Sequence, residues 1–162
     1  MKRIASCSDA QQLAELLLIK EFSLQLGKNL GKADIPIGSA NVAVDGFYKD
    51  DRLVVLVEAW AHIGKAKSAQ RNKILGDMLK LALVTSVVRR ANPDLRVEAY
   101  LVFADQLAAR TVIGKGWASV AAKEFGIIAE VIVLSEEVIR TIQEAQRRQD
   151  IRVPDECESD VD

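Results

Sequence analysis

A chain of 162 residues that is 49% hydrophobic has material for one well-cored domain, whereas two halves would each be marginal. No apolar run approaches the roughly 20 residues that cross a bilayer, and no signal-peptide core opens the sequence, so it reads as a soluble, cytoplasmic protein with no membrane partner. Cys7 and Cys157, the two cysteines, sit near opposite ends and offer neither a paired-thiol motif nor a metal spacing.

The net charge of −1 is unevenly spread. From Asp150 onward six acids face one base, a local balance of −5, which leaves residues 1–149 at about +4. The body, 1–149, is expected to form the single domain, and 150–162 an acidic tail with little to bury. A bias of +4 is compatible with a nucleic-acid partner and does not demand one.

In chain order, Ser8 or Asp9 can cap a helix reaching about Leu26, and the glycines and "KADIPIG" that follow read as its break. Asn41 to Tyr48 is strand-like, "KDDR" is a polar turn, and Leu53 to Trp60 is a near-continuous apolar run of the kind buried on both faces. A long helical pattern runs from about Lys67 to Arg90, stopped by "NPD" because Pro93 cannot continue it. Arg96 to Ala104 reads as a strand, "DQLAAR" as a short helix, and "GWASVAAKEFG" as a helix ended by Gly126. "IIAEVIVL" reads as a last strand and Glu136 to Arg148 as a charged helix that lies on the surface. The expected order is α-β-β-α-β-α-β-α, a mixed-sheet α/β protein.

One residue breaks the strand pattern. Val54, Leu56, Glu58 and Trp60 share a face of the Leu53–Trp60 strand, so Glu58 falls on a buried surface. An unpaired carboxylate there costs several kcal/mol and calls for a cation or a set of donors. Asp45 on the preceding strand comes near Glu58 under ordinary hairpin register, and two such carboxylates make a hard oxygen site suited to Mg²⁺. On the first helix, Glu15 falls among Ile19, Phe22 and Leu26, an acid on an apolar face.

"Asp45-Gly46-Phe47" and "Glu58-Ala59-Trp60", on adjoining strands after a helix, resemble the PD-(D/E)xK phosphodiesterase superfamily. The resemblance implies a restriction-endonuclease-like, three-layer α/β/α core acting on nucleic acid with Mg²⁺ or Mn²⁺, and covers residues 9 to about 104. It implies Asp45 and Glu58 as catalytic metal ligands and Glu15 as a further ligand from the first helix. Val44 stands where the motif often has proline, and Trp60 stands in the lysine position. An indole has one neutral donor and cannot orient and deprotonate water as an ammonium does. A lysine from a neighbouring element would have to serve. Lys65 and Lys67, directly downstream, are the candidates, with Lys73 behind them.

Within the long helix, Gln70, Lys73, Asp77 and Lys80 form a polar stripe beside an apolar one of Ile74, Leu75, Met78, Leu79 and Ala82. Amphipathic helices usually turn such a stripe to solvent, and that is the expectation here. The lone His62 reads as a surface residue at a strand exit. "IGKGW", Ile113 to Trp117, lacks P-loop spacing and reads as a turn plus a core tryptophan. Three functions stay open: a metal-dependent nuclease with a relocated lysine; a nuclease-like fold kept for nucleic-acid binding or assembly; and an interaction domain whose acids are structural. A nuclease of this size cutting both strands of a duplex would work as a homodimer.

Overall fold

The structure, a computed structural model, describes residues 7–150; the expected acidic tail beyond Asp150, with Cys157, lies outside the described residues. The first described element is α1 (Cys7–Leu26), and Ser8 and Asp9 lie within it rather than ahead of it. Gly27, at φ 65, turns the chain out of the helix.

The next element departs from expectation. "KADIPI" is a strand, β1 (Gly31–Ile37), and not only a helix break. Its alternation decides this: Ala33, Ile35 and Ile37 turn inward while Lys32, Asp34 and Pro36 face out, the period of a half-buried strand. Pro36 is tolerated because β1 is the sheet's outermost strand. Ile37 pairs with Ala40 across a two-residue turn at Gly38, φ 59, and leads into β2 (Ala40–Lys49).

A second turn is held by Asp50, whose carboxylate accepts from the Arg52 and Leu53 N–H groups at 2.8 Å each. Those bonds, with a third from the Tyr48 hydroxyl, hold its pKa down to about 2. The strand that follows, β3 (Leu53–Trp60), is buried from its second residue to its last.

Antiparallel pairing joins β1 to β2 and β2 to β3, after which the sheet changes sense. A parallel neighbour requires a long crossover, supplied by α2 (Ser68–Ala91), which returns the chain to β4 (Arg96–Phe103) beside β3. Then come α3 (Gln106–Ala109), α4 (Trp117–Glu124), β5 (Ile127–Val131) and α5 (Glu136–Asp150). The result is an α/β fold with one five-stranded mixed sheet, ordered β1-β2-β3-β4-β5.

The sheet divides the apolar interior in two. Val54, Leu56 and Trp60 of β3 pack with Ile74, Met78, Leu81 and Val84 of α2 on one face. On the other, Val55, Val57 and Ala59 meet Ala14, Leu18, Ile19 and Phe22 of α1 and Ile142 of α5. Leu79 of α2, expected in the apolar stripe, is 65% exposed; the buried set is rotated toward Leu81, Val84 and Thr85.

Candidate functional site

The β2–β3 ladder stops short of the strand ends. Its last pair toward the end of β3 is Gly46 with Val57, and beyond it the Asp45 carboxylate takes over, accepting from the Ala59 N–H at 3.0 Å. A side chain thereby replaces a main-chain partner, and the strands part where Asp45 and Glu58 stand. Phe47 and Leu56 are paired and pack in the α2-side core, so Asp45, two residues before Phe47, and Glu58, two after Leu56, point to the α2 face.

Glu58 is 2% exposed. Its Oε2 accepts from the Lys80 Nζ at 2.7 Å, and the same ammonium lies 3.5 Å from Asp77 Oδ1. The other oxygen, Oε1, is buried with no hydrogen-bond partner. Burial drives the Glu58 pKa up to about 8 against the opposing Lys80 bond, and the Asp45 charge adds to the rise. Burial acts to lower Lys80, but its bond to Glu58 and the charges of Glu58, Asp77 and Asp45 outweigh it and raise the ammonium's pKa. Asp77 is raised too, chiefly by burial, with Lys80 and Lys73 opposing.

Half of the polar stripe of α2, Asp77 and Lys80, therefore turns toward Glu58 instead of solvent, correcting the expectation from amphipathicity, while Gln70 bonds back to the Lys67 N–H and Lys73 stays exposed. The Glu58 carboxylate needs a cation, and α2 crosses the sheet with Lys80 opposite it.

From the other layer comes Glu15. Its Oε1 accepts from Gln11 at 2.9 Å and lies 3.9 Å from the Lys73 Nζ. Burial raises its pKa, the Gln11 bond opposes, and Asp45 raises it further. This approach depends on Gly46: a Cβ there would stand 3.1 Å from Val57 Cβ and 3.2 Å from Ile19 Cδ1, tighter than an alanine accepts without movement. Trp60, in the motif's lysine position, is 6% exposed, and its Nε1 is buried without a partner. Lys73 Nζ sits over its ring, 5.4 Å from the centroid.

Lys65 and Lys67 lie exposed in the segment that follows β3, and the ammonium on Glu58 is Lys80 instead. That segment is clamped. Ile63 N–H donates to Gln146 Oε1 at 2.9 Å, and Gln146 Nε2 donates to the Ile63 carbonyl at 3.1 Å. His62 stacks on Trp60 at 6.1 Å between centroids and lies 3.2 Å from the Gln146 amide nitrogen, so it is half-buried and engaged rather than a free surface residue. The charged C-terminal helix thus does more than cover the surface. Trp117 of "IGKGW" was expected in the core and is 70% exposed, because it opens α4 while Ala118, Ser119 and Ala122 take the buried side.

Four carboxylates, Glu15, Asp45, Glu58 and Asp77, are thus interleaved with two ammonium groups, Lys73 and Lys80. The negative excess and the orphaned Glu58 Oε1 suit a hard divalent cation. Among the described residues no three Asp, Glu, His or Cys side chains already stand as a metal-holding group. Mg²⁺ needs no such cage, since it is commonly bound through one or two carboxylates while keeping several waters.

Compared with protein-family models and with curated proteins, the chain matches none. No helix among the described residues is long and apolar enough to cross a membrane.

Proposed function

We propose that the chain is a metal-dependent phosphodiesterase of the PD-(D/E)xK kind, restriction-endonuclease-like in arrangement, acting on nucleic acid. Lys80 supplies the ammonium that Trp60 does not. One observation carries the reading: the Lys80 Nζ reaches Glu58 at 2.7 Å from α2, so an acid and a lysine meet although the triplet lacks its own. The order of α1, three antiparallel strands, α2 and a strand parallel to β3 supports the reading, with β1 added to the expected α-β-β-α-β-α-β-α order.

Asp45 and Glu58 would hold the cation, with Glu15 a further oxygen at the rim. Mg²⁺ or Mn²⁺ there would supply positive charge against the phosphate oxygens and make bound water more acidic. The protein's own groups do the rest. Lys80 orients the attacking water and stabilises its hydroxide form, and Asp77 keeps the ammonium aimed. The Ala59 N–H fixes the Asp45 carboxylate. Cutting both strands of a duplex takes two such sites, hence a homodimer.

A second reading has its own support: Lys80 pairs with Glu58 Oε2 without any metal, as in a nuclease-like fold kept for binding or assembly alone. Cleavage of supercoiled plasmid and single-stranded DNA with Mg²⁺ or Mn²⁺ separates the two. The nuclease reading expects cutting that EDTA stops and Lys80→Met reduces by roughly 100-fold or more. Binding without cutting under every metal condition favours the second reading.

A further inference from the structure

We propose that Lys73 is a second phosphate-binding residue of the site, seated at its mouth by the indole face of Trp60. The proposal rests on the phosphodiesterase reading and extends it to the substrate strand. Trp60 then has a role in the lysine position: it holds a cation rather than being one.

The geometry separates the two lysines. Lys80 is committed, its ammonium 2.7 Å from Glu58 and 3.5 Å from Asp77. Lys73 is placed but not consumed. Its Nζ lies 5.4 Å from the Trp60 ring centroid and 3.9 Å from Glu15, the outer limit of an ion pair, and its side chain is 50% exposed. A ring face attracts the charge without taking up donors, so the ammonium's three N–H groups remain for an incoming anion.

The seat itself is rigid. Trp60 is 6% exposed, packs in the α2-side core and stacks on His62. Lys73 and Lys80 start about 10 Å apart along α2, and their ammonium groups are held by different partners, Trp60 and Glu15 for the first and Glu58 and Asp77 for the second. Lys73 therefore engages a phosphate beside the one at Glu58 and Lys80.

The test uses the full chain carrying Trp117→Phe, which leaves Trp60 as the sole indole. A fluorescein-labelled single-stranded DNA 20-mer is titrated in EDTA at NaCl from about 25 to 200 mM, which prevents cutting. Lys73→Met is expected to weaken binding roughly eightfold at 50 mM NaCl and to flatten the salt slope by about 0.7, the signature of one lost single-strand phosphate contact. Lys73→Arg should restore both, and Trp60 emission should change on binding with Lys73 present but not in Lys73→Met. A Lys73→Met variant with parental affinity and slope would overturn the proposal and leave Lys73 as a mere partner of Glu15. If the parent itself fails to bind at the lowest salt both in EDTA and with Ca²⁺ in its place, the phosphodiesterase reading falls and takes this one with it.

Discussion

Glu58 can be satisfied by a proton, by Lys80 or by a metal ion, and the balance among them depends on pH. Its native pKa of about 8 lies above the ordinary glutamate value of 4.5, so the folded chain holds this proton to higher pH than the unfolded chain does. The stability this contributes is fully present below 4.5 and is lost as pH rises through about 8. Glu15 and Asp77 are shifted in the same direction and steepen the fall. Urea unfolding is therefore expected to show stability decreasing from pH 5 to pH 9 by on the order of a few kcal/mol, and Glu58→Gln to remove most of the decline. A wild-type profile that is flat or rises over this range would contradict the assignment.

Glu58 was legible because an acid interrupts an otherwise apolar strand, where desolvation makes it conspicuous. Lys80 was visible only as one member of a polar stripe. Spacing of three and four residues is the same whether a stripe meets water or a buried acid, and only tertiary packing decides between them. The exposed Trp117 failed for a related reason: composition marks tryptophan as core material, but its place at the start of α4 sets which way it points.

Among the elements, β1 was missed because Gly, Pro and Asp read as breakers, and those cues outweighed the alternation of Ala33, Ile35 and Ile37. Proline is costly in a central strand and harmless on an edge, and the sequence alone does not say which this is. The elements that bear the site were read almost in place, since β3 and α2 have strong, distinct periods. How α1 meets β2 hinges on Gly46, where the Ile19 side chain would crowd an added methyl. Gly46→Ala is expected to cost about 1–3 kcal/mol and to push α1 outward, carrying Glu15 away from Lys73 and Asp45. Thermal melts give the first quantity. The second should appear as weaker metal binding in a protein that still folds, and unchanged stability and metal affinity would argue against the close approach.

Over the whole molecule, the site forms where the sheet turns from antiparallel to parallel pairing. There β2 and β3 part, and each helical layer contributes charge: Glu15 from one side, Lys73, Asp77 and Lys80 from the other. Nothing in the packing of an α/β core requires four acids and two lysines between strand ends, and assembling them there brings like charges together. A divalent cation resolves that cost, which is why the account turns on whether one binds. Isothermal titration of Mn²⁺ into wild type, Asp45→Asn and Glu58→Gln near pH 8.5, where Glu58 has largely released its proton, tests this most directly. The account predicts saturable binding to wild type and a loss in each variant exceeding the roughly 10–100-fold typical of a supporting residue. Equal isotherms for all three proteins, or no binding to wild type, would mean that Asp45 and Glu58 are structural acids and that no metal site exists between them.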